Sequence, residues 1–249
     1  MESLTLVAIA GFVAAMMNAM AGGGSFVSLP ALIAVGVPSV QANASSTVAL
    51  FPGSLASTWA YRSGLCPVGG VPLRPMLLVT LAGGVAGALL LLYTPTRVFD
   101  VVLPWLLLVA STALACGRPL RDWLRRRWRI GRTAVLVAQF LLGIYGGYFG
   151  GAVGIMMLAV WGLVDEHSLK ELNPTRTLMV GAANGIAVAT FILAHAVQWP
   201  ETLAMLAGGT VGGYAGAHVG KRLPAPAIRI GTLLVTAAIT VAFFVKAYG

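Results

Sequence analysis

The chain has 249 residues, of which 58% are hydrophobic and 9% charged, and its mean hydropathy is +0.89. A soluble domain carries about 25% charged residues, so this composition excludes a water-exposed globular surface. The net charge of +9 comes from basic residues in short loops between apolar runs, which is typical of membrane proteins and speaks against nucleic acid as a partner. These long apolar runs predict an all-α protein that lies in the lipid bilayer.

The first half of the chain contains five apolar segments, predicted at 4–21, 25–36, 41–61, 73–93 and 98–116. The last three reach or approach the roughly 20 residues that a crossing helix needs. The first two are shorter and are joined by Gly22, Gly23 and Gly24. We therefore predict a helical hairpin that enters and leaves on the same side, followed by three transmembrane helices.

The second half repeats this arrangement after a basic stretch at 117–132 that contains seven arginines. Its apolar segments are predicted at 133–150, 153–164, 174–197, 200–219 and 226–247, and the turn from Gly150 to Gly154 joins the first two. The sequence thus predicts one integral membrane domain with a first repeat at 1–116, a cytoplasmic linker at 117–132 and a second repeat at 133–249.

Three sequence matches between the halves support a tandem duplication. The segment from Gly11 aligns with that from Gly143, the segment from Asn43 with that from Asn173, and the segment from Gly83 with that from Gly212. The matches come in the same order along both halves, and their offsets in residue number agree to within one helical turn. Such agreement is hard to obtain by chance.

The distribution of positive charge predicts the orientation of the two halves. Fourteen of the 16 Lys and Arg residues fall in four loops, at 62–74, 117–132, 165–176 and 220–229. Because cytoplasmic loops are enriched in Lys and Arg, these loops are predicted inside and both termini outside. The two halves then have opposite orientations, which predicts two inverted-topology repeats in the cytoplasmic membrane.

The two glycine turns are the predicted ligand site. Irregular backbone within the bilayer is tolerated only where it is buried in protein or lines a cavity, and a helix N-terminus there favours an anion. A packed turn without a ligand is the alternative interpretation. The candidate substrate-binding residues are the turn glycines and the small polar residues near them: Asn18, Gly22, Gly23, Gly24, Ser25, Asn43, Ser46, Thr47, Gly150, Gly154, Asn173, Arg176, Thr177 and Asn184.

Arg176 is the only permanent cation within a polar cluster of this kind, and Ser46 occupies the matching position of the first half. Its planar guanidinium suits sulfonate or carboxylate oxygens, although a helix-end arginine that sets only the topology is the alternative. All seven Asp and Glu residues fall in loops or at segment ends. Without a carboxylate in the membrane interior, a cation transporter is disfavoured, and neither a metal nor another cofactor is expected.

Several of these motifs resemble the signatures of the sulfite exporter TauE/SafE family. They are the segments 11–13 and 18–25, then 30–32, 36–38 and 43–54, and in the second half Leu172, Asn173, Arg176, Asn184, Phe191 and 213–217. The resemblance covers nearly the whole chain and implies an integral membrane transporter of anions, often of sulfur oxyanions or organosulfonates, that works without ATP. Asn18 departs from the family, many members of which have a carboxylate there, and the second glycine turn is less glycine-dense.

The leading hypothesis is therefore a secondary transporter that exports sulfite or a small organosulfonate, with lipid and this anion as partners and self-association left open. The runner-up is an importer of, or a passive pathway for, another small anion such as a carboxylate. An intramembrane hydrolase is a distant alternative, with Ser54 as nucleophile and His195 or His218 as base. The chain has no nucleophile-elbow motif of that class, so it is not expected to be an enzyme.

Overall fold

A computed structural model describes residues 2–20, 22–125, 131–165 and 167–249, and in this part the protein is all-α, with ten α-helices and no β-strand. The helices are α1 (Glu2–Met20), α2 (Ser25–Ala34), α3 (Ser39–Ala60), α4 (Leu73–Tyr93), α5 (Thr96–Arg125), α6 (Arg132–Tyr148), α7 (Val153–Trp161), α8 (Leu169–Leu193), α9 (Trp199–Arg222) and α10 (Ala225–Tyr248). Each predicted apolar segment corresponds to one of them. Helix α5 continues to Arg125, into the predicted linker, of which 126–130 lie outside the described residues.

Helix length separates the crossing helices from the short arms of the hairpins. Within the described residues, five helices are long and apolar enough to cross a membrane: α1, α4, the 96–116 part of α5, α8 from residue 171 and α10. By contrast, α2 has 10 residues and α7 has nine. At a rise of about 1.5 Å per residue each is roughly 15 Å long, about half of a hydrocarbon core of roughly 30 Å. The second arm of each hairpin is therefore too short to span.

Glycine allows α1 and α9 to pack backbone against backbone. A Cβ atom added to Gly208 would lie 1.8 Å from the carbonyl oxygen of Ala8, and one added to Gly212 would lie 2.0 Å from that of Phe12. Small residues at four-residue spacing permit such close approach between membrane helices. Because both residue numbers increase together along the contact, α1 and α9 run parallel.

The contact between α4 and α6 repeats this arrangement with the two halves exchanged. A Cβ on Gly83 would lie 2.5 Å from the carbonyl oxygen of Phe140, and one on Gly87 would lie 2.0 Å from that of Ile144. These two helices also run parallel. Here the glycines belong to α4, the fourth helix of the first half, and the carbonyls to α6, the first helix of the second half. In the α1–α9 contact the glycines belong to the second half and the carbonyls to the first.

The matching contacts revise the sequence alignment of α1 with α6. Gly212 packs against Phe12, and its aligned residue Gly83 packs against Phe140, so the two phenylalanines take matching places in the two contacts. The ends of α1 and α6 agree with this equivalence, because each helix ends the same distance beyond its phenylalanine. These contacts align α1 with α6 one helical turn away from the predicted pairing of Gly11 with Gly143. Small residues recur every four positions in both helices, so the sequence alone matches equally well one turn away.

Two further pairs of corresponding helices run antiparallel to each other. In the α3–α8 pair, Thr58 Oγ1 donates to the carbonyl of Thr177, while the ring of Phe51 packs beside Gly185. In the α5–α10 pair, Arg229 donates to the carbonyl of Ala115 near one end. Near the other end, the indole of Trp105 donates to the hydroxyl of Tyr248. In both pairs one residue number rises as the other falls.

Equivalent hydroxyl groups hold the loops that follow the two central helices, α3 and α8. The backbone N–H of Cys66 donates to Thr175 Oγ1 at 3.0 Å, and that of Gln198 donates to Ser45 Oγ at 2.9 Å. Thr175 and Ser45 are aligned residues, each two positions after the asparagine that begins the matching segment. The loop after α3 is thus attached to the beginning of α8, and the loop after α8 to the beginning of α3.

Asp165 fixes the loop after α3 at a second point. Its carboxylate accepts hydrogen bonds from the backbone N–H groups of Gly69 and His167 and contacts the His167 ring. Burial alone would raise the pKa of Asp165, but these hydrogen bonds and the histidine charge outweigh it and hold the pKa below its ordinary value. The carboxylate therefore stays ionised and joins the loop after α3 to the loop after α7.

A buried hydrogen-bonded chain connects α4, α6 and α7. The Trp161 indole donates to Gln139 Oε1 at 3.0 Å, Gln139 Nε2 donates to Thr80 Oγ1 at 2.7 Å, and Thr80 donates to the carbonyl of Met76. Trp161, Gln139 and Thr80 are all fully buried. Their polar atoms are mutually satisfied, which is what makes a buried polar network stabilising.

The Trp161→Phe variant is expected to unfold more easily, because Gln139 Oε1 loses its donor in an apolar setting. A buried unsatisfied acceptor costs about 1–3 kcal/mol. Thermal unfolding in detergent measures the loss, and Trp105→Phe is the matched control, since Trp105 is 53% exposed and its hydrogen bond lies at the surface. A loss no larger for Trp161→Phe than for Trp105→Phe would show that burial of the hydrogen-bonded chain adds nothing to the effect of removing an indole.

Candidate functional site

A cavity of roughly 400 Å³ lies where the tips of both hairpins meet the central helices α3 and α8. The tip of the first hairpin contributes residues between 18 and 25, and the tip of the second contributes residues between 150 and 155. One face of α3 supplies Thr47, Leu50, Gly53, Ser54 and Ser57, with Tyr61 directly after it, and one face of α8 supplies Asn173, Arg176, Thr177, Val180 and Asn184. Both halves of the chain therefore build one site.

The hairpin tips leave helical geometry at the cavity wall. Gly22 and Gly23 have φ angles of +81° and +85°, in the left-handed region that glycine adopts without strain. In the second tip, Gly150 has φ +75° and Ala152 has φ +58°. A non-glycine residue in that region costs about 1–3 kcal/mol, so the lower glycine content noted in the sequence is accompanied by local strain.

The turns place two helix beginnings at the cavity. Ser25, the first residue of α2, and Val153, the first residue of α7, both line it. Asn18 also lines the cavity, and its side-chain oxygen accepts a hydrogen bond from the Gly24 amide at 3.4 Å. The first amides of a helix lack partners within the helix and carry partial positive charge. The helix dipoles therefore favour an anion on both hairpin sides of the cavity.

The central helices contribute equivalent positions to the cavity. Three aligned pairs line it: Thr47 with Thr177, Leu50 with Val180, and Ser54 with Asn184. Within each helix they follow one another at spacings of three or four residues, which is the repeat of one helical face. The two aligned segments therefore occupy matching places around the cavity.

Arg176 is the one basic side chain among the described residues that line the cavity, and that lining includes no carboxylate. Its side chain lies along Gly154, where an added Cβ would be 3.4 Å from Arg176 Cδ and 3.6 Å from Nη1. Arg176 Nε and Asn184 Oδ1 are both buried and have no hydrogen-bond partner. A buried polar atom without a partner is costly, so this donor and acceptor suit a polar ligand.

Eleven of the fourteen candidate residues line the cavity, and three do not. The three are Gly24, Asn43 and Ser46. Gly24 packs against the backbone of α1, where an added Cβ would be 2.5 Å from the carbonyl of Ala14. Asn43 donates to the carbonyl of Tyr148, and Ser46 shares a hydrogen bond with Ser28, so both are engaged within the protein.

The structure adds Ser54, Ser57 and Tyr61 to the candidate ligand-binding residues. Sequence reasoning considered Ser54 only as a nucleophile and missed the other two. The signal was present, because these residues continue the three- and four-residue spacing that begins at Thr47. Neither His195 nor His218 lines the cavity, and the ring of His218 instead contacts the carbonyl of Tyr214 on α9. Ser54 thus has no histidine base beside it in the described lining.

A multi-pass helical protein whose two incomplete hairpins meet at an internal polar cavity has the build of a membrane transporter. The comparison with known families agrees: the model of the sulfite exporter TauE/SafE family matches residues 7–243. The chain belongs to this family.

Curated relatives also carry transporter names. The chain is 30% identical over 245 residues to a "Probable membrane transporter protein" of Haemophilus influenzae, covering 95% of this chain and 94% of the relative. It is 30% identical over 223 residues to the "Probable membrane transporter protein ORF9" of a Sinorhizobium species, covering 88% and 82%. It is 28% identical over 216 residues to the "Probable membrane transporter protein YfcA" of Escherichia coli K12, covering 86% and 77%.

Proposed function

We propose that this protein is a secondary transporter that moves a small anion across the cytoplasmic membrane, exporting sulfite or a small organosulfonate. The observation that carries the proposal is Arg176, a partly buried cation with an unpartnered Nε in a cavity whose described lining has no carboxylate. A cation in such a place is most stable beside an anion. Family membership gives independent support for transport and for sulfur oxyanions.

The chemistry of the lining suits a compact oxyanion. The guanidinium of Arg176 can donate two parallel hydrogen bonds to one sulfonate or sulfite group. The hydroxyl group of Ser54 and the side-chain amide of Asn184 line the same space and can complete the coordination, while the Thr177 hydroxyl already donates to the carbonyl of Asn173. A volume of roughly 400 Å³ lies at the small end of the range of ligand pockets, about 300–1,000 Å³. Cargo of this size needs no large cavity.

The transport mechanism we propose uses two repeats of inverted topology, with both termini on the outer face. Corresponding central helices that run antiparallel support it, because a two-fold axis parallel to the membrane reverses the direction of every helix it relates. The exchanged α1–α9 and α4–α6 contacts and the basic loops agree with the same axis. Two such halves can expose one central site to each side of the membrane in turn.

Flux measurements in proteoliposomes test the proposal. Vesicles loaded with sulfite, thiosulfate, taurine, sulfoacetate or acetate are diluted into anion-free buffer, with and without an imposed pH gradient, and release is followed over time. We expect saturable release of a sulfur oxyanion or sulfonate without ATP. Faster release of acetate than of every sulfur compound would favour the carboxylate alternative. Release that is linear in concentration would indicate a passive pathway, and no release of any anion would contradict the proposal.

A further inference from the structure

The two ends of the cavity differ although equivalent residues surround them. Ser57 and Tyr61, toward the end of α3, are exposed and line the cavity. Their aligned counterparts toward the end of α8, Ala187 and Phe191, are 0% and 1% exposed. Packing therefore closes the cavity on the side where α8 ends and leaves it accessible on the side where α3 ends.

An asparagine holds the closed side. Asn43, near the beginning of α3, is 1% exposed, and its Nδ2 donates to the carbonyl oxygen of Tyr148 at 2.9 Å. Tyr148 is the last residue of α6 and so belongs to the tip of the second hairpin. The last carbonyls of a helix have no donor within the helix. The Asn43 amide satisfies this one and thereby attaches α3 to the hairpin tip.

The equivalent asparagine on the accessible side faces the cavity instead. Asn173 aligns with Asn43, and Met20 ends α1 as Tyr148 ends α6. Both Asn173 and Met20 line the cavity. The two residues that would mirror the bond from Asn43 to Tyr148 are thus both present on the other side, where the described residues show no hydrogen bond between them.

We propose that Asn43 and Asn173 are alternating latches that close the two sides of the cavity in turn. In the state described, Asn43 holds Tyr148 and the α8-end side is closed. In the opposite state Asn173 donates to the carbonyl of Met20, and the bond from Asn43 to Tyr148 is broken. This inference rests on the proposed transport function, but it concerns the conformational exchange and not the identity of the cargo.

The change of state replaces the bond from Asn43 to Tyr148 by a bond of the same kind from Asn173 to Met20. The two states therefore contain the same number of these hydrogen bonds. Two states of similar free energy can interconvert, and a change that favours one of them shifts the population. Loss of the Asn43 bond removes a contact made only in the described state. It should therefore raise the ratio of the state open on the α8-end side to the described state, by about fivefold for a hydrogen bond of ordinary net strength.

Cysteine accessibility in detergent tests the latches without any anion present. The reporters are Ser57→Cys and Ala187→Cys, each in a Cys66→Ser, Cys116→Ser background, and the rate of reaction with a water-soluble thiol reagent is measured. In this background we expect fast labelling at position 57 and slow labelling at position 187. Adding Asn43→Ala should make labelling at 187 faster and labelling at 57 slower, so that the ratio of the two rates rises about fivefold. Asn173→Ala should leave the rate at 187 low.

Opposite changes at the two reporters distinguish a latch from general loosening, which would raise both rates together. Thr80→Val is the matched control, because it removes a buried hydrogen bond outside the cavity lining and should not move the two rates in opposite directions. Asn43→Ser, whose side chain is too short to reach Tyr148, repeats the test if Asn43→Ala does not fold. Unchanged rates, or parallel increases, with Asn43 variants would overturn the inference. Failure of anion flux with the opposite changes intact would instead count against the proposed cargo alone.

Discussion

Arg176→Ala is expected to reduce strongly the stabilisation of the protein by its anionic substrate while leaving the fold intact. The guanidinium is the one basic group in the described cavity lining, and its Nε has no protein partner to lose. A hydrogen bond to a charged group contributes about 1.5–3 kcal/mol, so binding should weaken roughly 10- to 100-fold. Removing a buried charge without an ion partner should leave the melting temperature of the empty protein unchanged or higher.

Melting temperatures in detergent, measured across a sulfite titration, give both quantities, since a ligand that binds only the folded state raises the midpoint. Arg62→Ala is the matched control. Arg62 is exposed and stacks on Trp59 at 4.2 Å, so its loss removes the same charge without touching the cavity. Arg176→Lys keeps the positive charge but loses the planar guanidinium, so its binding of sulfite should lie between that of the wild-type protein and that of Arg176→Ala. Equal losses with Arg62→Ala and Arg176→Ala would show that only overall charge matters.

Gly208→Ala is expected to prevent α1 and α9 from packing together, with a larger loss of stability than any other substitution considered for this protein. The added methyl group would lie 1.8 Å from the carbonyl oxygen of Ala8, which is backbone and cannot turn aside. The helices must separate, and contacts along the whole interface are lost with them. Overpacking commonly costs about 1–3 kcal/mol, and a backbone clash of this depth should exceed that range. The yield of monodisperse protein and its melting temperature measure the effect.

Gly213, which lies further along α9 than Gly208, provides the control. A Cβ on Gly213 would lie 4.0 Å from its nearest neighbour, Ala15 Cβ, in ordinary van der Waals contact. Gly213→Ala should therefore be neutral or slightly stabilising, because alanine is favoured over glycine in a helix by about 1 kcal/mol. A similar loss for Gly208→Ala and Gly213→Ala would mean that glycine content, and not close approach at one position, matters here.

The sequence determined the helices and most of the cavity lining. Apolar runs of defined length, separated by glycine and basic loops, specify where each helix lies along the chain, because these signals are local. They do not specify every end, since α5 continues to Arg125 and α8 begins at Leu169, outside the predicted segments. The turn at Gly22 and Gly23 could be predicted for the same reason, since only glycine takes positive φ there without strain. Small polar residues beside such turns are costly to expose to lipid, so they either pack within the protein or face a cavity. Many of those predicted here line the cavity.

Only the tertiary structure decided which side of the cavity is closed and how the first helices align. Asn43 and Asn173 carry the same signal in sequence, yet one is buried against Tyr148 and the other lines the cavity. A local asparagine signal cannot specify whether its side chain bonds to the protein or faces a cavity, because that depends on which distant backbone atoms the fold brings next to it. Small residues also recur every helical turn in α1 and α6, so the sequence alone does not define how these two helices align. The contacts of Gly212 with the Phe12 carbonyl and of Gly83 with the Phe140 carbonyl define it.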